Sequence, residues 1–385
     1  MANPIEELLV VGRLLGRRLT KPRTDKPAPA ATSFAADFAA TDHGNAKAHT
    51  LIALPSNQPP WFDTGLEIAS GDVLTILATG RTELSKMLDI WVGAGFQVWA
   101  RIGENGPIFR GTRPTNTVTA DKTGRLYLAT SFPGEWANKD GELGSVTPPE
   151  VYNGIKGDIT VGVLNWGDQD GLANWPAQGV AAQMKTAELD RRAAPYQPPE
   201  GWQYLWYLGD AEIFHKQDDG TMCCHTNKDA SILQREVDFP LTPDTHIDWA
   251  WLIEQLPATI REDTLPTHDY LSVAVEFDDG QDITYHWSAE LPVERVYTCP
   301  LPTWKDKETH LIVRSGPKGL KEWQQERRNL HDDYIRAIGQ PKGLPTPKRI
   351  VKVWLIAVSI FQRGEGRCEY RDIKLSDRDT NLQIL

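Results

Sequence analysis

The sequence predicts a mostly-β protein of two jelly-roll or β-sandwich domains, the second with one inserted amphipathic helix, plus a short N-terminal helix. Three observations lead there. Short alternating apolar runs recur between Gly, Pro and Asp turn signals through both halves of the chain. A proline cluster at Pro195, Pro198 and Pro199 separates the halves. Helical spacing is confined to a few short segments.

The elements follow in chain order. Ile5, Leu8, Leu9, Gly12, Leu15 and Leu19 recur at helical spacing and predict a short amphipathic helix. Residues 19–50 hold Pro22, Pro27, Pro29 and many alanines without an apolar period, so residues 1–50 form a helix and a Pro/Ala-rich arm. Residues 51–167 form the first sandwich. Its strands include Val73 to Ala78 between Gly71-Asp72 and Gly80, Phe96 to Ile102, Arg125 to Ala129 after a Lys-Thr-Gly turn, and Asp158 to Leu164. Residues 168–200 are a linker with a helix over Ala181 to Arg192. Residues 201–385 form the second sandwich, with strands at 247–253, 270–277, 282–287, 310–314, 350–360 and 369–375. Its helix is placed at Lys318 to Ala337, where Leu320, Trp323, Arg327, Leu330 and Tyr334 share a face and Gly339 follows.

The 385 residues suit two domains, and 40% hydrophobic content supplies each with an interior. A formal net charge of -11 argues against a nucleic-acid partner, because phosphate attraction needs a basic face. No run of apolar residues is long enough for a transmembrane segment, and the basic residues Arg17, Arg18 and Lys21 follow the first apolar stretch rather than precede it, unlike a secretory signal. Cys223, Cys224, Cys299 and Cys368 are too sparse for a disulfide framework, so reduced thiols and a cytoplasmic location are expected. The fourteen tryptophans are core fillers first, and they are also the residues that stack on flat ligand faces.

Two resemblances add to this reading. Thr64-Gly65-Leu66, the run Gly71 to Gly80, Gly124 to Ala129, and Pro133 to Gly141 resemble the soluble galactose-binding bacterial lectins and the wider galactose-binding-like jelly rolls, over roughly residues 60–167. In those lectins the Pro-Gly loop holds a calcium ion that grips sugar hydroxyls. The resemblance therefore implies Glu135, Asn138 and Asp140 as calcium ligands, with Trp136 beside the ligand. Ser131 and Lys139 stand where the family has an Asp and an Asn. The second module resembles a bacterial family of unknown function through Trp249-Ala250-Trp251, Asp269 to Phe277, Tyr285-His286-Trp287, Arg314-Ser315-Gly316, the stretch Leu320 to Tyr334, and Tyr370 to Ile373.

One polar constellation stands out. Along 270–277, Leu271, Val273, Val275 and Phe277 alternate with Ser272, Ala274 and Glu276, while His286 lies opposite Tyr285 and Trp287 on the next strand. Pairing of the strands places Glu276 and His286 on one face. With Asp248 they form a candidate acid–base set, walled by Trp249, Trp251 and Trp287, with Arg314 at a strand end. The same pattern also fits a solvated sheet face. Arg328 and Asp332, four apart, fit an ion pair on the long helix. Phosphate loops, dinucleotide fingerprints, nucleophile elbows and paired-His zinc helices are missing from the sequence.

Three functions remain open at this level. The first is binding of a carbohydrate or other polyhydroxylated small molecule. The second is an enzyme using the His286, Glu276 and Asp248 pocket on a small sugar-like or apolar substrate. The third is a structural or assembly protein, a homo-oligomer docked through the N-terminal arm.

Overall fold

The computed structural model describes residues 4–20, 31–57, 61–110, 113–132, 135–144, 149–208 and 211–385. The chain divides into two compact units, Arg23–Tyr196 and Met1–Pro22 with Gln197–Leu385.

The first unit is a β-sandwich with a helical layer. Ala48–Leu54, Lys156–Asn165, Val73–Ser85 and Ile90–Gly93 lie side by side in one sheet, with Thr115–Thr119 added on Val73–Ser85. Phe62–Ile68, Gly124–Thr130, Val98–Ile102 and Phe109–Arg110 form the other. Alternation decides which side chains meet. Leu74, Ile76 and Ala78 join Val161, Val163, Leu126 and Leu128 in a core with no solvent exposure. Leu77 and Leu164 point the other way. They are covered by the helices Ala31–Ala40 and Gly179–Ala193, with Phe34, Phe38, Trp175 and Met184 in the cluster.

The Ala31–Ala40 helix lies where an extended arm is expected. Phe34 and Phe38 are a single i,i+4 pair among alanines, too small a stripe to register as a period, yet both rings are buried. Likewise the Gly179–Ala193 helix, expected in a linker, buries Ala181 and Met184 against the same sheet.

The second unit packs a seven-stranded sheet on a six-stranded one. The seven run Gln203–Tyr204, Ala230–Pro240, Arg349–Val358, Tyr270–Phe277, Asp282–Ser288, Glu308–Ser315 and Val296–Thr298. The six include Met222–Asn227, Glu365–Ser376, His246–Gln255 and Gln324–Asn329. Tryptophans fill the space between them. Trp249 lies 5.4 Å from Tyr285 and Trp251 lies 6.0 Å from Trp287, ring centre to ring centre. Asp282–Ser288 and Glu308–Ser315 pair in parallel, and on each strand residues two apart share a face.

The inserted helix is present but displaced. Lys318 to Trp323 is a turn, with Gly319 and Lys321 at positive φ. Gln324–Asn329 is a strand paired with His246–Gln255, and the helix begins only at Leu330. Asn329 sets that start, its side chain accepting from the backbone N–H of Asp332. Gln324, Glu326 and Arg328 are half-buried while Gln325 and Arg327 are exposed, an alternation of two that the apolar spacing of three and four obscured.

In the N-terminal helix, Pro4–Thr20, Val10 is buried and Arg13 forms a two-pronged pair with Glu290 of its own unit. Among the described residues no helix is long and apolar enough to cross a membrane.

Candidate functional site

The face of the seven-stranded sheet turned away from the tryptophan layer is polar and largely buried. Register builds it row by row. Lys352, Glu276, Asp282 and Glu308 stand opposite one another on four neighbouring strands. The next row is Trp354, Ala274, Thr284, His310 and Tyr297. The row after it includes Ser272 and His286.

Four donor groups converge at one end. Glu308 and His310 alternate on one strand, so both face inward. Cys299 directly follows the Val296–Thr298 strand, with its N–H on the Glu308 carbonyl. His268 follows the short Leu265–Thr267 turn that leads into Tyr270. One ligand atom from each of His268, Cys299, Glu308 and His310 lies within 4.8 Å of the others, and all four residues are buried.

Their hydrogen bonds define proton positions. His268 Nδ1 lies 2.7 Å from the Glu262 carbonyl, which only accepts, so the proton sits on Nδ1 and Nε2 is bare. Cys299 Sγ lies 3.3 Å from that Nε2. Glu308 Oε1 accepts from Tyr270 at 3.0 Å and from Thr284 at 2.9 Å. His310, stacked on Tyr297 at 4.7 Å, has its Nε2 3.4 Å from Glu308 Oε1, while its Nδ1 has no hydrogen-bond partner.

Electrostatics match this burial. Burial lowers His268 to about 3, with His310 adding to the effect, so its imidazole is neutral. Burial also pushes the Cys299 thiol well above its usual value. The Glu308 carboxyl is raised by burial, but the His310 and His268 rings outweigh that and hold it well below the usual range. Asp282 goes the other way, pushed well up by burial and by Glu308 and Glu276. Glu262 rises to about 8 through burial.

The open edge of this face is aromatic. Tyr207 and Trp304 are partly exposed, 6.1 Å apart, and Trp304 meets Trp354 edge-on at 5.9 Å. Beside them Lys352 and Glu276 form a half-buried ion pair at 2.8 Å. Burial and the charges of Glu276, Asp282 and Glu308 push the Tyr207 phenol up.

Residues 207–374 match the family described as "Protein of unknown function (DUF3047)". The matched residues include both the four converging donors and the aromatic edge. No curated protein matches the chain. Similar solved structures include the N-terminal domain of EclA, a PllA-like lectin, at 14% identity over 32% of this chain and 98% of that one, TM-score 0.24. Another is the xyloglucanase domain of NopAA, a type three effector from Sinorhizobium fredii in complex with cellobiose, at 11% identity over 48% and 99%, TM-score 0.29. A third is wild-type ENZbleach xylanase, at 10% identity over 50% and 94%, TM-score 0.23. A lectin and a family of unknown function are the two resemblances expected from the sequence.

The side chains singled out from the sequence are distributed as follows. Glu276 and His286 do share the polar face of the seven-stranded sheet, about 13 Å apart along the strands at 3.3 Å per residue. His286 is fully buried and its Nε2 meets the Tyr297 hydroxyl at 2.9 Å. Asp248 is on the other sheet, paired with Arg327 at 2.8 Å, and is not brought to them. Trp249, Trp251 and Trp287 are 1%, 0% and 1% exposed in the interlayer core, and Arg314 pairs with Glu326. In the first unit Trp136 stacks on Trp61 at 5.2 Å. Glu135 is buried and accepts from Ser131 at 3.3 Å. Asn138 Oδ1 accepts from the backbone N–H groups of Asp140 and Glu142, and Asp140 is exposed.

Sequence reasoning passed over His268, Cys299, Glu308 and His310. The available signal was Glu308-Thr309-His310, two titratable residues at spacing two just before the apolar run Leu311-Ile312-Val313. Nothing local marks His268 or Cys299, which arrive from separate connections.

Proposed function

We propose that the protein binds a carbohydrate or related polyhydroxylated small molecule at the aromatic edge of its second module. The observation that carries this reading is the partly exposed pair Tyr207 and Trp304, backed by Trp354 and flanked by the Glu276–Lys352 ion pair. Rings offer flat apolar surface to the carbon face of a sugar, while the carboxylate and ammonium hydrogen-bond its hydroxyls. A neutral polyol suits a protein whose net charge is -11. Calcium held by the loop of Glu135, Asn138 and Asp140 is a separate proposal that rests on the lectin resemblance.

The test is a screen of the full-length chain on a glycan array, with calcium and with chelator, followed by calorimetry on the best soluble oligosaccharide. Trp304→Ala is expected to weaken binding by about thirtyfold, the loss of one aromatic hot spot worth about 2 kcal/mol. Calorimetry showing no binding by any array-selected sugar, or equal affinity in Trp304→Ala, sinks the reading. Binding that is lost in chelator but survives Trp304→Ala supports the calcium loop against the aromatic edge, and unchanged binding in chelator removes calcium from the reading.

A further inference from the structure

We propose that His268, Cys299, Glu308 and His310 bind one divalent transition-metal ion of the zinc class. This goes beyond ligand binding at the aromatic edge and rests on different atoms.

The geometry is the first argument. A tetrahedral ion with bonds of about 2.0–2.3 Å separates its ligand atoms by roughly 3.3–3.8 Å. The four donors, already within 4.8 Å of one another, need only small side-chain adjustments to reach that shell.

The second argument is chemical. The mixed imidazole, thiolate and carboxylate set suits zinc and its neighbours and does not suit calcium or magnesium, which take oxygen alone. His268 is pre-set as a ligand, since the Glu262 carbonyl fixes its Nδ1 proton and leaves the Nε2 lone pair facing the cluster. Tyr270 and Thr284 anchor Glu308 in the same way.

The third argument concerns what the cluster lacks. His310 is 0% exposed; its Nε2 lies 3.4 Å from Glu308 Oε1, and its Nδ1 has no hydrogen-bond partner. Buried polar groups are rarely left so, and a cation accepting the imidazole lone pair supplies the missing partner.

Charge balance completes the case. Binding displaces the Cys299 thiol proton to solvent, giving one thiolate and one carboxylate around a doubly charged ion, with both imidazoles neutral. The net charge is zero, as burial requires. Four protein donors fill the tetrahedral shell, the arrangement of a structural ion.

Because the site is closed, the ion is loaded during synthesis. The full-length chain is expressed in zinc-depleted medium supplemented with cobalt(II), and its metal content and absorption are measured. One cobalt per chain is expected, with tetrahedral visible bands and a thiolate-to-cobalt charge-transfer band. Cys299→Ser abolishes the charge-transfer band, His310→Ala lowers bound metal at least tenfold, and Cys223→Ser leaves both unchanged. If the first two variants fail to fold, the stoichiometry and charge-transfer band of the unaltered chain decide. Folded protein carrying less than a tenth of an equivalent of either metal overturns the proposal, as does a charge-transfer band that survives Cys299→Ser. Trp304→Ala retains full metal content, so failure of the sugar site and failure of the metal site are distinguished.

Discussion

A β-carbon placed on Gly162 stands 2.6 Å from Phe38 Cε2 and 3.0 Å from Phe34 Cζ. The Ala31–Ala40 helix thus rests its two rings directly on the backbone of the Lys156–Asn165 strand. Neither ring has free space, as both are buried beside Trp175.

Gly162→Ala is therefore expected to destabilise the first unit by about 1–3 kcal/mol, the usual cost of overpacking a filled core. Phe38→Ala creates the converse defect and costs about 3–5 kcal/mol. Urea denaturation followed by tryptophan fluorescence measures both. Equal stability of Gly162→Ala and the unaltered chain would show that the helix does not lie on this strand.

The same contact shows how far the sequence could be read. The strands were legible because alternation repeats many times: Leu74, Ile76 and Ala78 on one side, Thr75 and Leu77 on the other. The helix over them was not, because its contribution is concentrated in Phe34 and Phe38, and the glycine that receives them lies far along the chain. At Gln324–Asn329 the sequence offered two periods at once, and cross-strand pairing with His246–Gln255 selected the strand. The polar face was half legible. Alternation placed Glu276 and His286 together, whereas the four donors meet only through the register of two strands and the path of two connections. Trp249, Trp251 and Trp287 carry no sequence mark that separates an interlayer core from a ligand wall.

Asp333 provides a second prediction. Arg328 forks onto its carboxylate at 2.8 and 2.7 Å, and the buried Tyr285 hydroxyl donates to it at 3.0 Å. The four-residue spacing points instead to Asp332, whose side chain is 74% exposed and meets His331. Asp333→Ala leaves the buried Tyr285 phenol without its acceptor and the largely buried guanidinium with Glu294 alone, a loss of about 1–3 kcal/mol. Asp332→Ala changes stability by no more than about 0.5 kcal/mol. Thermal unfolding of the two variants side by side makes the comparison. A larger effect at Asp332 contradicts the placement of the helix start at Leu330.

The last prediction concerns acid stability of the first unit. Glu188, fully buried on the Gly179–Ala193 helix, accepts from Thr115 Oγ1 and from Arg191 Nε, both at 2.8 Å. Burial pushes its carboxyl up, but the hydrogen bonds from Arg191, Thr115 and Thr117 outweigh this and hold it below the usual value. The sign follows directly. The unfolded chain takes up this proton near pH 4.3, before the folded chain does, so Glu188 contributes its full stabilisation above that pH and loses it as pH falls through the folded value. Glu188→Gln keeps the shape and removes the charge. At pH 7 it is expected to cost about 1–2 kcal/mol, because the buried carboxylate's charge-assisted bonds to the half-buried Arg191 guanidinium become neutral ones. That deficit narrows as pH is lowered from 5 towards 2, since the unaltered chain then pays for keeping a carboxylate that the unfolded state has protonated. Urea titrations at pH 7, 5, 4 and 3 trace the difference. A deficit that stays constant over this range would assign Glu188 to packing and hydrogen bonding alone, with no ionic share.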